Sequence, residues 1–187
     1  MSSSSEDNLK AAGSSGERSQ DLDACFGQFV KDHAPRLQAI ARAIVGRRFS
    51  AEDVVQQALM NLYQHRDRYD WSEPLPLLRR AVVNEALRLL RRPPMAPIDS
   101  VDVGRDDAPD AALVHSETVQ QVRKAIDKLP PHFKAALVLC EYEGLSYPEI
   151  AQELGITIQQ TKTWIFRARR QLEQMLGEYV RSGKSVK

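Results

Sequence analysis

The chain has 187 residues, 27% of them Asp, Glu, Lys or Arg, 6% aromatic, and a formal net charge of +1. That composition bounds it to one or two small soluble domains. It excludes a membrane span, since no apolar run is long enough, and a disulfide-stapled scaffold, since Cys25 and Cys140 are the only cysteines. The near-neutral balance hides segregation: Asp99, Asp102, Asp106, Asp107 and Asp110 crowd one stretch, while Lys162, Arg167, Arg169, Arg170, Arg181, Lys184 and Lys187 crowd another.

Residues 1–21 are mostly Ser, Gly and charged side chains, too poor in apolar surface to offset ordering entropy, and read as a disordered tail. From Leu22 a helical period begins with Phe26, Phe29 and Val30 and resumes with Leu37, Ile40, Ala41 and Ile44. Pro35 between them predicts a break or kink, and Gly46 a stop. Ser50 followed by Asp53 predicts a capped helix to about His65, with Val55, Leu59 and Leu62 on its buried stripe. Asp53, Gln56, Gln57 and Asn61 lie on its polar face, which spacing alone reads as solvated.

His65 to Pro76 reads as an ordered loop in which Tyr69 and Trp71 are either packing anchors or stacking platforms for an unpaired base. Leu77 to Arg92 is helical, with Leu78, Val82, Ala86 and Leu89 inward and a basic flank of Arg79, Arg80, Arg88, Arg91 and Arg92. Pro93 and Pro94 stop it, and residues 94–115 form a linker rich in Pro, Asp and Gly. Ser116 caps a helix carrying Val119, Val122, Ile126 and Leu129. Pro130 and Pro131 break it before the short helix of Phe133, Ala136, Leu137 and Cys140.

Gly144 then leads into GLSYPEIAQELGITIQQTKTWIFRARRQL. Ser146 with Glu149 is a capping box, and Pro148 sits where a missing N–H costs nothing. Gly155 suits a left-handed helix end, and Thr157 with Gln160 opens a second helix. On that helix Ile158, Thr161, Ile165, Ala168 and Leu172 share one face. Lys162, Thr163, Trp164, Phe166, Arg167, Arg169 and Arg170 fill the remainder. This is the pattern of a helix-turn-helix whose second helix enters the DNA major groove; the bland alternative is a helical hairpin with a solvated basic face. Past Gly177 the basic residues, 179–187 in particular, read as a tail.

No enzyme chemistry assembles. His33, His65, His115 and His132 have no ligand spacing with each other or with a cysteine, no phosphate or dinucleotide loop is present, and no cofactor or metal is expected. The fold expected is all-α: two helical domains, residues 22–93 and 116–178, joined by a flexible linker, the second with the helix-turn-helix. With no apolar leader segment, the cytoplasm is the expected location.

Two stretches together, AEDVVQQALMNLYQHRDRYD with LLRRAVVNEALRLLRR, and LPPHFKAALVLCEYEGLSYPEIAQELGI with the helix after it, resemble the bacterial sigma factors of the extracytoplasmic-function (ECF) group. The resemblance implies that Asp53, Gln56, Gln57 and Asn61 dock on the β′ clamp helices of core RNA polymerase, reversing the solvated reading, and that the second domain meets the β flap. It implies that Tyr69, Trp71, Arg80, Asn84 and Arg88 serve the −10 element, where a base is flipped into a loop pocket. Lys162, Thr163, Trp164, Phe166, Arg167, Arg169 and Arg170 would serve the −35 duplex, and an anti-sigma factor would be the regulating partner. Lys162-Thr163-Trp164 and Leu77 depart from residues common in that family, which bears on promoter choice. Rival readings are a free-standing helix-turn-helix regulator and a polymerase-blocking adaptor; the basic helices argue against the adaptor.

Overall fold

The computed structural model describes residues 6–92 and 117–181, with side chains over 26–92 and 119–177. The expected linker therefore lies outside the described residues, as does the Ser116 cap. Among the described residues the structure is helical without strands: α1 Glu6–Val45, α2 Ala51–Tyr63, a 3₁₀ turn Arg66–Arg68, α3 Pro74–Leu90, α4 Glu117–Asp127, α5 Pro131–Glu141, α6 Tyr147–Leu154 and α7 Ile158–Arg181. The helices α1–α3 make one bundle and α4–α7 another.

Three expectations are revised. α1 runs unbroken through Pro35. An internal proline costs about 3 kcal/mol, but Phe26, Val30, Leu37, Ile40 and Ile44 keep a single helical phase across it. Leu37, Ile40 and Ile44 are fully buried, each worth about 1.5–3 kcal/mol, so the packing outweighs the lost bond. The same helix starts at Glu6, inside the stretch read as a tail; once a helix is nucleated, propagation into residues such as Leu9, Lys10 and Ala11 is cheap. At the far end α7 passes through Gly177 to Arg181, because one glycine costs only about 1 kcal/mol. A smaller shift is that α3 begins at Pro74, with a proline in its first turn, rather than at Leu77.

The cap at α2 forms in half: the Ser50 hydroxyl accepts from the Asp53 N–H at 3.3 Å. Val54, Val55, Ala58 and Leu62 of α2 face Leu78, Val82, Val83 and Ala86 of α3 and the buried stripe of α1. The same apolar cluster continues into the second bundle through Ala135, Ala136, Val138 and Leu139 of α5, Ile150 of α6 and Ile165 of α7. A satellite cluster of Leu129, Phe133, Leu137 and Ala168 ties α7 to α5 and the end of α4.

Charge also crosses between the bundles. Arg79 of α3 is buried; its Nε and Nη2 reach Glu153 Oε1 at 2.6 and 2.5 Å, and its Nη1 lies 3.4 Å from Glu143 Oε2. Arg36 of α1 grips the same Glu143, with Nε 3.0 Å from each carboxylate oxygen. Burial pushes the Glu153 carboxyl up from its ordinary pKa, and the Arg79 guanidinium opposes that shift. A second seam lies at the α1–α2 corner. Gly46 turns the chain at φ 61°, and a Cβ there would meet Asp127 Oδ1 at 2.3 Å. Asp127 is partly exposed, but Lys134 Nζ, itself buried, lies 3.4 Å from its carboxylate, and retreat would give up that contact.

Gly46→Ala is expected to destabilise the protein by more than the about 1–2 kcal/mol that a left-handed non-glycine residue costs. In urea unfolding, the excess should vanish when Asp127→Ala is added, leaving the backbone cost alone.

Candidate nucleic-acid interface

The helix-turn-helix is α6 and α7, and local bonds set their angle. The Ser146 N–H donates to Glu149 Oε2 at 2.8 Å, closing the box at the start of α6. Gly155 ends α6 at φ 65°, its N–H donating to the Ala151 carbonyl, and Ile156 N–H donates to that same oxygen at 2.9 Å. Two residues on, Gln160 N–H donates to Thr157 Oγ1 at 3.1 Å and Thr157 N–H to Gln160 Oε1 at 2.9 Å. Two reciprocal boxes flanking a glycine leave the turn little freedom.

Thr161, Ile165 and Ala168 point into the core, and the Thr161 hydroxyl donates a hydrogen bond to the Thr157 carbonyl at 3.2 Å. Ile158 was expected on that face and is instead exposed, one turn beyond the packed part. Lys162, Phe166, Arg167 and Arg170 stand clear on the opposite side, Phe166 with 63% of its surface in solvent. Thr163 is half-buried and donates to the Gln159 carbonyl at 2.9 Å. Trp164 is half-buried too: its ring lies 4.8 Å from that of His132 and packs on both core clusters. Burial lowers the pKa of His132. Arg169 is tied back to Glu141 of α5 at 3.1 Å through Nε.

In the first bundle, Asp53, Gln56, Gln57 and Asn61 all lie exposed along α2, with Gln57 Nε2 donating to Asn61 Oδ1 at 3.0 Å. Between α2 and α3 opens a groove of about 360 Å³ whose lining includes Asn61, His65, Tyr69, Asn84, Glu85 and Arg88. The structure thus brings Tyr69, Asn84 and Arg88 together and adds Asn61 to them. Trp71 is elsewhere. It packs edge-on against Phe26 at 5.4 Å and stacks on Phe29 at 6.4 Å, with its indole N–H donating to the Arg66 carbonyl at 2.9 Å. It anchors the loop rather than lining the groove. Arg80 is exposed on α3, outside the groove lining, and its charge weakly opposes the burial that raises the Glu153 pKa.

Glu85 and the Arg79 network are what sequence reasoning missed. Glu85 is buried and forks onto Arg88, with Oε2 2.7 Å from Nε. The signal was present: Arg79 stands three and four residues before Val82 and Val83, and Glu153 three after Ile150, so both share a buried stripe. Among the described residues no group of three or more His, Cys, Asp or Glu is placed to hold a metal ion, and no helix is long and apolar enough to cross a membrane.

A capped helix-turn-helix with a basic, apolar-tipped outer face, coupled to a bundle with a groove between α2 and α3, defines a two-part DNA-binding protein. Family comparison agrees in both parts: Sigma-70 region 2 matches residues 29–93, and Sigma-70 region 4 matches residues 119–172. The ECF RNA polymerase sigma-E factor of Haemophilus influenzae is 31% identical over 165 residues, covering 81% of this chain and 87% of that protein. The ECF RNA polymerase sigma factor SigE of Mycolicibacterium smegmatis is 30% identical, covering 82% of this chain; the chain spans 62% of that longer relative. Among solved structures, CnrH in complex with the cytosolic domain of CnrY aligns at 25% identity and TM-score 0.62, over 87% of this chain and 94% of that one. The sigma factor RpoE of Bartonella quintana, solved with the anti-sigma factor NepR, shares the fold at TM-score 0.60 and 24% identity, over 81% of this chain and 96% of that one.

The chain belongs to the ECF sigma factors of RNA polymerase, the class that directs promoter-specific transcription initiation. The free-standing regulator is not favoured, since it has no use for region 2.

The Ser146 box supplies a pH test. Hydrogen bonds from the Ser146 hydroxyl and N–H hold the Glu149 carboxyl below its ordinary pKa. A carboxylate depressed in the folded state stabilises it above the unfolded pKa, and that contribution is lost as pH falls through the folded one. The urea midpoint of Glu149→Gln should therefore lie below the parent's at neutral pH, and the gap should close as pH drops through the carboxylate range.

Proposed function

We propose that this chain is a non-catalytic, cytoplasmic subunit that docks on core RNA polymerase through α2, holds an unpaired −10 base in the α2–α3 groove and reads the −35 duplex with α7. The observation that carries the reading is the pairing of that groove with the exposed outer face of α7 in one protein. Asp53, Gln56, Gln57 and Asn61 meet the β′ clamp helices, while the α4–α7 bundle meets the β flap. Flipping a base costs a few kcal/mol of stacking. Tyr69 supplies a stacking face, Asn84 hydrogen-bonding groups, and Arg88 and Arg80 hold the backbone. Trp71 supports the loop from behind.

On α7, Arg167 is suited to the bidentate fork on guanine, worth about 1–3 kcal/mol of discrimination. Lys162 offers a point charge, Thr163 a hydroxyl, and Phe166 a surface for thymine methyls. Arg170 suits phosphate, and so does Arg169 with its charge partly answered by Glu141. Trp164 fixes the helix against α5. An anti-sigma factor, such as the one solved with the Bartonella protein, is the regulating partner.

Run-off transcription with core polymerase over a promoter library tests the whole: promoter-selective transcripts are expected only when this protein is added. Asp53→Arg with Gln56→Ala should abolish co-purification with core enzyme while leaving the helical circular dichroism intact. In the same library Arg167→Ala should relax base preference within the −35 element. Arg170→Ala should weaken all promoters alike and lower the salt slope by about one counterion. The reverse pattern would mean the two arginines have exchanged roles.

A further inference from the structure

Glu85 places a carboxylate on the lining of the α2–α3 groove, with only 5% of its side-chain surface exposed. Ala58, Leu62 and Ala81 line the same groove. Burying a carboxylate beside such neighbours is unfavourable, and a buried ion pair adds little net stability because desolvation offsets attraction. Stability alone therefore does not account for an acid at this position.

Its partner does. Both oxygens of Glu85 are held by Arg88, one helical turn on: Nε donates to Oε2 at 2.7 Å and Nη2 donates to Oε1. Those hydrogen bonds and the charge behind them raise the Arg88 pKa above its ordinary value. The Arg88 side chain itself stays 44% exposed at the groove. A guanidinium carries five donors in one rigid plane. The edge made by Nε and Nη2 is occupied by Glu85, and the other edge, Nη1 with Nη2, is left as a second fork in a fixed orientation. Such a fork matches two oxygens of a phosphate. Glu85 thus acts on Arg88 in two opposing ways. It fixes where the second fork sits, and it offsets the charge that would draw a phosphate from any direction.

We propose that Glu85 is a positioning residue for single-stranded DNA: by pinning Arg88 it fixes which phosphate is gripped at the groove, and so which base faces Tyr69 and Asn84. The role rests on the reading of this groove as the −10 site. An unpinned Arg88, mobile and with its full charge, takes phosphates in several registers and favours no base. Phosphate contacts carry no sequence information themselves, but they set the register in which bases are read. Glu85 lowers the affinity for DNA in general and sharpens that register.

The test compares holoenzymes, core polymerase carrying each variant of the full chain. Two quantities are read: the salt dependence of anisotropy on a mixed-sequence single strand, and base preference in transcription from the promoter library. Glu85→Gln keeps the size of the side chain and removes its charge. It should steepen the salt slope by about 0.7, the share of one added cation on a single strand. For variants that converge near about 1 M salt, that slope makes strand binding about fivefold tighter at roughly 0.1 M. Preference within the −10 element should flatten while the −35 preference stays. In an Arg88→Ala background the same substitution should change neither quantity. Arg88→Lys keeps the ion pair without the second fork. It should hold the parent's salt slope and lose the −10 preference, and it decides the matter if Glu85→Gln fails to fold. An unchanged slope and preference in Glu85→Gln, an equal change in the Arg88→Ala background, or a parental −10 preference in Arg88→Lys overturns the positioning role. If Arg88→Ala alone leaves strand binding and −10 preference at the parent's values, the reading of the groove as the −10 site falls, and the role of Glu85 falls with it.

Discussion

The halves of this molecule meet around one buried guanidinium. Arg79 comes from the inner face of α3 and is answered by Glu143 and Glu153, which belong to the other bundle. The apolar surfaces of α1, α3, α5 and α6 that continue the core across the boundary are non-directional and would accept many alignments. The fork of Arg79 accepts few. Apolar burial brings the bundles together, and the ion pair fixes their register.

Within each bundle the hierarchy is the reverse, because local bonds set orientation before packing fills in. Ser146, Glu149, Gly155, Thr157 and Gln160 confine the α6–α7 turn through hydrogen bonds spanning three or four residues. Thr161, Ile165 and Ala168 then seat α7 so that its outer face stays clear. A large ring such as Phe166 stays exposed, and the caps hold it so by leaving α7 nowhere else to turn.

This hierarchy explains what could be read from the chain. Capping residues and the glycine turn were legible because partner and position lie within one turn of helix. The inward stripes of α2, α3 and α7 were legible because burial follows a period. At Pro35 the local breaker rule yields to phase: the stripe from Phe26 to Ile44 never shifts, and packing overrides the breaker. The groove lining was only partly legible, since Tyr69, Asn84 and Arg88 meet Asn61 through tertiary contact. Trp71 was read with two alternatives, and its tilt toward Phe26 and Phe29 depends on a helix far away in sequence. The partners of Arg79 lie 64 and 74 residues away, beyond any periodic signal.

The same buried charge limits how interchangeable the two bundles are. Suppose the first bundle of this chain were fused to the second bundle of a relative with neutral residues in place of Glu143 and Glu153. Each part would keep its own recognition chemistry, yet the junction would enclose an unanswered guanidinium. A hybrid assembled to combine one −10 preference with another −35 preference would then differ from both parents in its resting shape as well as in its promoter choice. Matching the arginine on α3 with the acids around α6 is thus a compatibility rule for modular recombination.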